Sequence, residues 1–173
     1  MDFFELIQKR HSIRNFLDKP VDPANIERVL QAANHAPSAG NLQAYEIFVV
    51  KKHSQRIALA QAARDQDFII QAPLALVFCT NPARTEWRYH ERGVHLYSIQ
   101  DATIACTFAM LAATELGLGS VWVGAFDDRA VLDALGNPAG LMPVAILPIG
   151  YPTLDQPSTP RRQLSELVHD LSA

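Results

Sequence analysis

Helices and strands interleave along this sequence, which predicts one mixed helix-and-strand domain over residues 1–173. Three observations predict it. Hydrophobic residues make up 49% of the 173 positions, enough to bury one core but short of the length that favours a second. Two runs rich in β-branched and aromatic residues, Tyr45–Val50 and Leu74–Thr80, are closed by Lys51-Lys52 and Asn81-Pro82, as strands are. Segments with helical spacing and helix start signals lie on either side of them.

In chain order, Asp2 and Glu5 form a capping pair for a short first helix. Its apolar face is Phe3, Leu6 and Ile7, and Lys9, Arg10 and His11 collect at its negative end. Asp22 then Pro23 read as N-cap and first helical residue, and Ile26, Val29, Leu30 and Ala33 keep helical spacing until Pro37 stops the helix. Ser54 is expected to cap a short helix running to Ala63. No proline or glycine interrupts residues 94–116, and residues 102–113 are apolar nearly all round, as in a helix buried on most sides. Gly117 is its stop. Residues 121–126 read as a strand, Asp127 caps a short helix ending near Gly136, and residues 144–149 form a last strand in which Pro148 marks an edge or a bulge. An extended, proline-rich stretch over 152–160 leads to Arg161, Arg162 and a short amphipathic helix on Leu164, Leu167 and Val168.

Several function classes are excluded. A net charge of −3 gives no global field for nucleic acid or an anionic membrane, so neither is expected as a partner. The two cysteines, Cys79 and Cys106, sit in apolar surroundings without CxxC spacing, so neither a disulfide framework nor a metal site is expected. His90 and His95 are spaced i,i+5 and fall on different helix faces, and no HExxH occurs. The N-terminus lacks a signal-peptide pattern and no apolar run reaches the ~18 residues of a membrane span, so the expected location is cytoplasmic. Around Gly117, Gly119 and Gly124 the order is helix, glycines, strand, the reverse of a dinucleotide fingerprint, and there is no P-loop and no GxSxG.

What remains is a set of polar clusters, each with an ordinary alternative. Arg10-His11-Ser12-Ile13-Arg14 is either a solvated helix end or a phosphate socket, with Arg10 and Ser12 on the phosphate and Arg14 reaching another part of the ligand. Pro37-Ser38-Ala39-Gly40-Asn41 has turn composition. Trp122 is either core or a ligand neighbour, Arg161 and Arg162 either a solvated pair or a second grip on the phosphate. Gln100 and Asp101 are expected to face solvent or bond a neighbouring loop.

The basic-serine run, followed by Ala36-Pro37-Ser38-Ala39-Gly40-Asn41-Leu42-Gln43 and then by Gly117-Leu118-Gly119-Ser120-Val121-Trp122-Val123-Gly124-Ala125-Phe126, resembles the nitroreductase family of flavin mononucleotide (FMN) oxidoreductases. The likeness runs in order from Phe4 to Val168. It implies an α+β three-layer sandwich, a central mainly antiparallel sheet flanked by helices, in an intertwined homodimer with FMN at the interface. It further implies FMN contacts from Arg10, His11, Ser12 and Arg14, and from Val123 and the backbone around Gly124 and Ala125, the latter near N5 and O4, with Trp122 close by. Pro37, Ser38, Ala39, Asn41 and Gln43 would come from the partner subunit, and Arg161 or Arg162 would join Arg10. The chain departs from the family's Gln-Pro-Trp in having Gln43-Ala44-Tyr45. NADH or NADPH would be the reductant and a quinone, nitroaromatic or activated alkene the small-molecule acceptor, exchanging in ping-pong order, with the chemistry carried by FMN N5 and no catalytic side chain. A flavin-binding module without turnover, or the same fold used for dehalogenation or flavin fragmentation, are the alternatives. The segment 85–93 is expected to shape substrate access.

Overall fold

The computed structural model describes residues 1–153 and 159–171. Its centre is the strand β2 (Leu74–Thr80), buried at all seven positions, in the middle of an antiparallel sheet of order β1-β2-β4-β3 with β1 (Tyr45–Val50), β4 (Met142–Gly150) and β3 (Gly119–Ser120). The side chains of β2 alternate between two cores. Leu74, Leu76 and Phe78 join the core of α2 (Pro23–Asn34) and α6 (Ser98–Glu115), where Val29, Ala33, Ala105 and Ala109 are buried. Ala75, Val77 and Cys79 join the core of α3 (His53–Ala62), α4 (Phe68–Gln71) and α7 (Asp128–Ala134), with Leu59, Ile69 and Val131. Helices thus cover both faces of the sheet. That is why β2 is an unbroken apolar run rather than an alternating one.

Helix ends follow the expected chemistry at most positions. In α1 (Phe3–Lys9) the Asp2 and Glu5 capping box forms. Asp22 caps α2 with Pro23 in the first turn, and Asp127 accepts from the Ala130 N–H at the start of α7. Gly117, at φ +72°, ends α6 in a Schellman motif: its N–H donates to the Thr114 carbonyl (3.0 Å) and that of Leu118 to the Ala113 carbonyl (2.8 Å). Ser54 is the exception. It lies inside α3, whose N-cap is Lys52.

The sheet corrects two expectations and bears out the bulge expected in the last strand. Pro148 marks no edge, because β4 lies between β2 and β3. Its effect falls on β3. Val123 and Ile146 exchange both backbone bonds at 3.0 Å, and Ser120 pairs with Ile149 in the same register, so Pro148 stands opposite Val121 on the side facing β3. The missing N–H interrupts the ladder there. Residues 121–126 accordingly form an isolated bridge at Val123 instead of a continuous strand. The bulge in β4 lies at Val144, where the register with β2 shifts between Phe78 and Cys79. Beyond the outermost strand, Ser12 pairs parallel with Ser120 and the Ile13 N–H donates to the Ser120 carbonyl at 3.0 Å.

Among its described residues the C-terminal segment holds a 3-10 turn, Leu164–Glu166, with Leu164, Leu167 and Val168 exposed, in place of an amphipathic helix. Most of the proline-rich stretch, residues 154–158, lies outside the described residues. α5 (Ala83–Arg92) runs through a π-turn, Gly93–Tyr97, into α6. The stretch Ala83–Glu115 is long and apolar enough to cross a membrane by length and composition, contrary to the sequence count. Its apolar part is α6, whose alanine-rich surface is buried against α2 and the sheet. Burial pushes the Cys79 thiol up to about 12 and raises that of Cys106 as well, so neither is a thiolate nucleophile near neutral pH.

Candidate functional site

At Arg10, the C-cap of α1, the chain turns extended and delivers the next residues to the outer edge of the sheet. Arg10, His11 and Ser12 there line a pocket of about 590 Å³ together with Ile7, Gln8, Thr159 and Arg161. No acidic residue lines it among the described residues. Burial, then the nearby charge of Arg161, holds the Arg10 guanidinium below its ordinary value, the mark of two cations gathered without a counter-ion. His11 places Nδ1 2.7 Å from the Lys9 carbonyl, a bond that orients the ring with Nδ1–H donating. Its Nε2 is buried and has no partner. In the neutral ring this leaves Nε2 with a lone pair and no hydrogen to give, so the donors that fit a phosphate group are the two guanidiniums and the Ser12 hydroxyl.

The two C-terminal arginines part company. Arg161 lines the pocket, whereas Arg162 donates from Nε to Glu166 (3.2 Å) and from an Nη to the Glu166 carbonyl (3.0 Å). Arg14 is exposed and does not line the pocket. Past Ser120, Val123 is buried in the core, Trp122 is half-buried against the α2 and α6 core, and Gly124 and Ala125 are exposed. Those two residues leave an open backbone wall.

The second cluster is the loop after α2. Buried Asp101, on α6, accepts from the N–H groups of Ala39 (2.9 Å) and Ala44 (3.2 Å), pinning both ends of the loop. Within it Gly40, Asn41 and Gln43 all take positive φ, a cluster that needs support from outside. The Ser38 Oγ accepts from the Gln43 backbone and side-chain nitrogens (3.1 and 3.2 Å), and the Gln43 Nε2 also donates to the Asn41 Oδ1 (2.7 Å). Among the described residues the Ser38 hydroxyl hydrogen and the Asn41 amide hydrogens have no acceptor. Pro37, Ser38 and Ala39 line an open pocket of about 550 Å³ with Tyr97, Gln100, Asp101 and Ile104. Tyr45 is no part of it. Its hydroxyl donates to the Ala33 carbonyl at 3.1 Å, and burial, then Asp101, push its pKa up.

The two clusters do not meet within one chain. The loop packs at Gln100 and Asp101, while His11 packs beside Thr114, fourteen residues later on α6 and so about 21 Å away at a rise of about 1.5 Å per residue. Sequence reasoning named both clusters but left Asp101 out of the site. The signal was present: an acid opening an otherwise apolar helix has to find a partner.

The model of the Nitroreductase family matches residues 7–66 and 56–151. The chain belongs to the nitroreductase family. A chain of Archaeoglobus fulgidus is 31% identical over 152 residues, 86% of this chain and 84% of its own length. The FMN reductase [NAD(P)H] of Bacillus subtilis is 29% identical over 171 residues, 91% of this chain and 69% of its own. Among solved structures, nitroreductase A of Vibrio parahaemolyticus superposes with a TM-score of 0.89 at 28% identity, over 97% of this chain and 74% of that one. The nitroreductase fold accounts for the helices and the antiparallel sheet.

Proposed function

We propose that this nitroreductase-family chain is an FMN-dependent NAD(P)H oxidoreductase that acts as a homodimer and passes electrons in ping-pong order to a quinone, nitroaromatic or activated-alkene acceptor. The observation that carries the reading is the pocket of Arg10, Ser12 and Arg161, a socket for a phosphomonoester with no acid lining it among the described residues. Relatives named as FMN reductase, NADPH nitroreductase and NADPH-flavin oxidoreductase agree with it.

In this reading Arg10 and Arg161 hold the phosphate and Ser12 adds a hydroxyl. Gly124 and Ala125 leave room for a flat ring against the backbone, with Val123 and Trp122 behind them. Arg14 stabilises negative charge at the pyrimidine edge of that ring. Ser38 and Asn41 of the second protomer donate to the same ligand, with Pro37, Ala39 and Gln43 shaping their loop. FMN, when bound, supplies the two-electron hydride chemistry, and no side chain need act as catalytic acid. The separation of the two clusters along α6 supports the dimer. So do the apolar residues left exposed on α1, where Phe3 is 61% and Phe4 71% accessible. Two free, buried cysteines suit a cytoplasmic location, where NAD(P)H is supplied.

Purified protein is expected to be yellow or to take up added FMN. NADH or NADPH should bleach it under nitrogen, and a quinone should restore the colour. A colourless protein that ignores FMN would sink the proposal, and a yellow one that neither nucleotide bleaches would reduce it to a flavin-binding module.

A further inference from the structure

The segment expected to shape access is a basic and aromatic face, not a plain wall. Arg84 and Arg88 lie i,i+4 on α5, and Arg92 follows after a break at His90, whose φ is +48°. Ring contacts carry the face across that break. The Arg88 guanidinium lies 5.3 Å from the Tyr89 ring centre, Tyr89 meets Tyr97 edge-on at 5.1 Å, and Arg92 lies 5.4 Å from the Tyr97 ring with its Nε donating to the Tyr97 hydroxyl (3.0 Å). Arg84 donates its Nε to the Leu42 carbonyl at 2.8 Å. All three arginines are exposed, and among the described residues none forms an ion pair, since Glu91 is taken by His95 at 3.0 Å.

This face adjoins the candidate site. A Cβ placed on Gly40 would lie 2.6 Å from the Tyr89 hydroxyl and 2.9 Å from an Nη of Arg88, and Tyr97 lines the same pocket as Pro37 and Ser38. Planar guanidiniums oriented on tyrosine rings offer two things at once: forked donors for a phosphate dianion and flat surfaces on which a purine stacks. The two nicotinamide cofactors differ in one group of that kind, the 2′-phosphate beside the adenine of NADPH. We infer that the Arg84, Arg88 and Arg92 face, with Tyr89 and Tyr97, binds the adenosine 2′-phosphate of the reductant and makes the protein selective for NADPH. This rests on the reductase reading above.

Two measurements on the FMN-loaded protein test it. The first is kcat/KM for NADPH and NADH in wild type and in Arg88→Ala. Wild type is expected to favour NADPH by about tenfold or more, and Arg88→Ala to cut that ratio about ten- to a hundredfold, the scale of one charge-assisted bond. The second is equilibrium binding of adenosine 2′,5′-bisphosphate against adenosine 5′-diphosphate, which needs no turnover. Tighter binding of the 2′-phosphate compound, lost in Arg88→Ala, supports the face even if neither nucleotide bleaches the flavin and the reductase reading fails. Equal use of NADH and NADPH by wild type, or equal binding of the two nucleotides, overturns it. So does an equal loss of both activities in Arg88→Ala with the ratio intact.

Discussion

Asp101 shows how one buried carboxylate decides the shape of a loop. Its two oxygens take one backbone N–H each, from Ala39 and Ala44, and each such charge-assisted bond contributes about 1.5 to 3 kcal/mol. Asp101→Asn keeps the shape but turns an NH2 group toward one of those N–H donors. We expect Asp101→Asn to lose on the order of 3 kcal/mol in thermal or urea unfolding, and to weaken FMN retention through the loop. An unchanged melting point would show that the loop holds itself. The arginine pair offers a sharper contrast at the same scale. Arg161→Ala should weaken FMN binding about ten- to a hundredfold, while Arg162→Ala, which removes only an exposed pair with Glu166, should change it less than about twofold. Equal effects in a fluorescence titration would refute the assignment. The sequence left these two arginines undivided, although Glu166 four residues after Arg162 was a visible cue.

Among the elements, those whose cause is local were legible and those whose cause lies on another strand were not. Both long apolar strands, Tyr45–Val50 and Leu74–Thr80, stand at the bounds read from composition, because burial and turn residues fix them in place. Residues 121–126 had strand composition too, yet their ladder fails because Pro148 on the neighbouring strand offers no N–H. Nothing in the segment itself records that. The break at His90 was equally hidden, while the polar residues of both candidate clusters could be named but not their separation along α6. The end of α6 is a clean test of local cause. A Cβ on Gly117 would touch nothing within 4 Å, so Gly117→Ala isolates the cost of a left-handed backbone, about 1 kcal/mol. The expected result is that loss in urea unfolding with no change in FMN binding, and full stability would mean that the Schellman turn had relaxed.

At the scale of the whole molecule the question is whether one site needs two chains. The phosphate pocket and the Asp101-pinned loop sit toward opposite ends of α6, and in the proposed homodimer a ligand touching both lies between protomers. That geometry has a consequence no single-chain site can imitate. Let one variant lose the pocket, Arg10→Ala, and another lose the loop anchor, Asp101→Ala. Each homodimer alone then carries two broken sites. In a hybrid dimer one site collects both defects and the other collects neither, so it is intact. Co-expression in equal amounts gives hybrids as about half of the dimers, and intact sites as about a quarter of all sites. Bound FMN and NAD(P)H oxidation in the mixture should therefore return to about a quarter of wild type, and mixtures tagged to purify only the hybrid should reach about half. Were each site contained within one chain, every site in every mixture would keep one defect, and neither flavin content nor activity would rise above that of the parents.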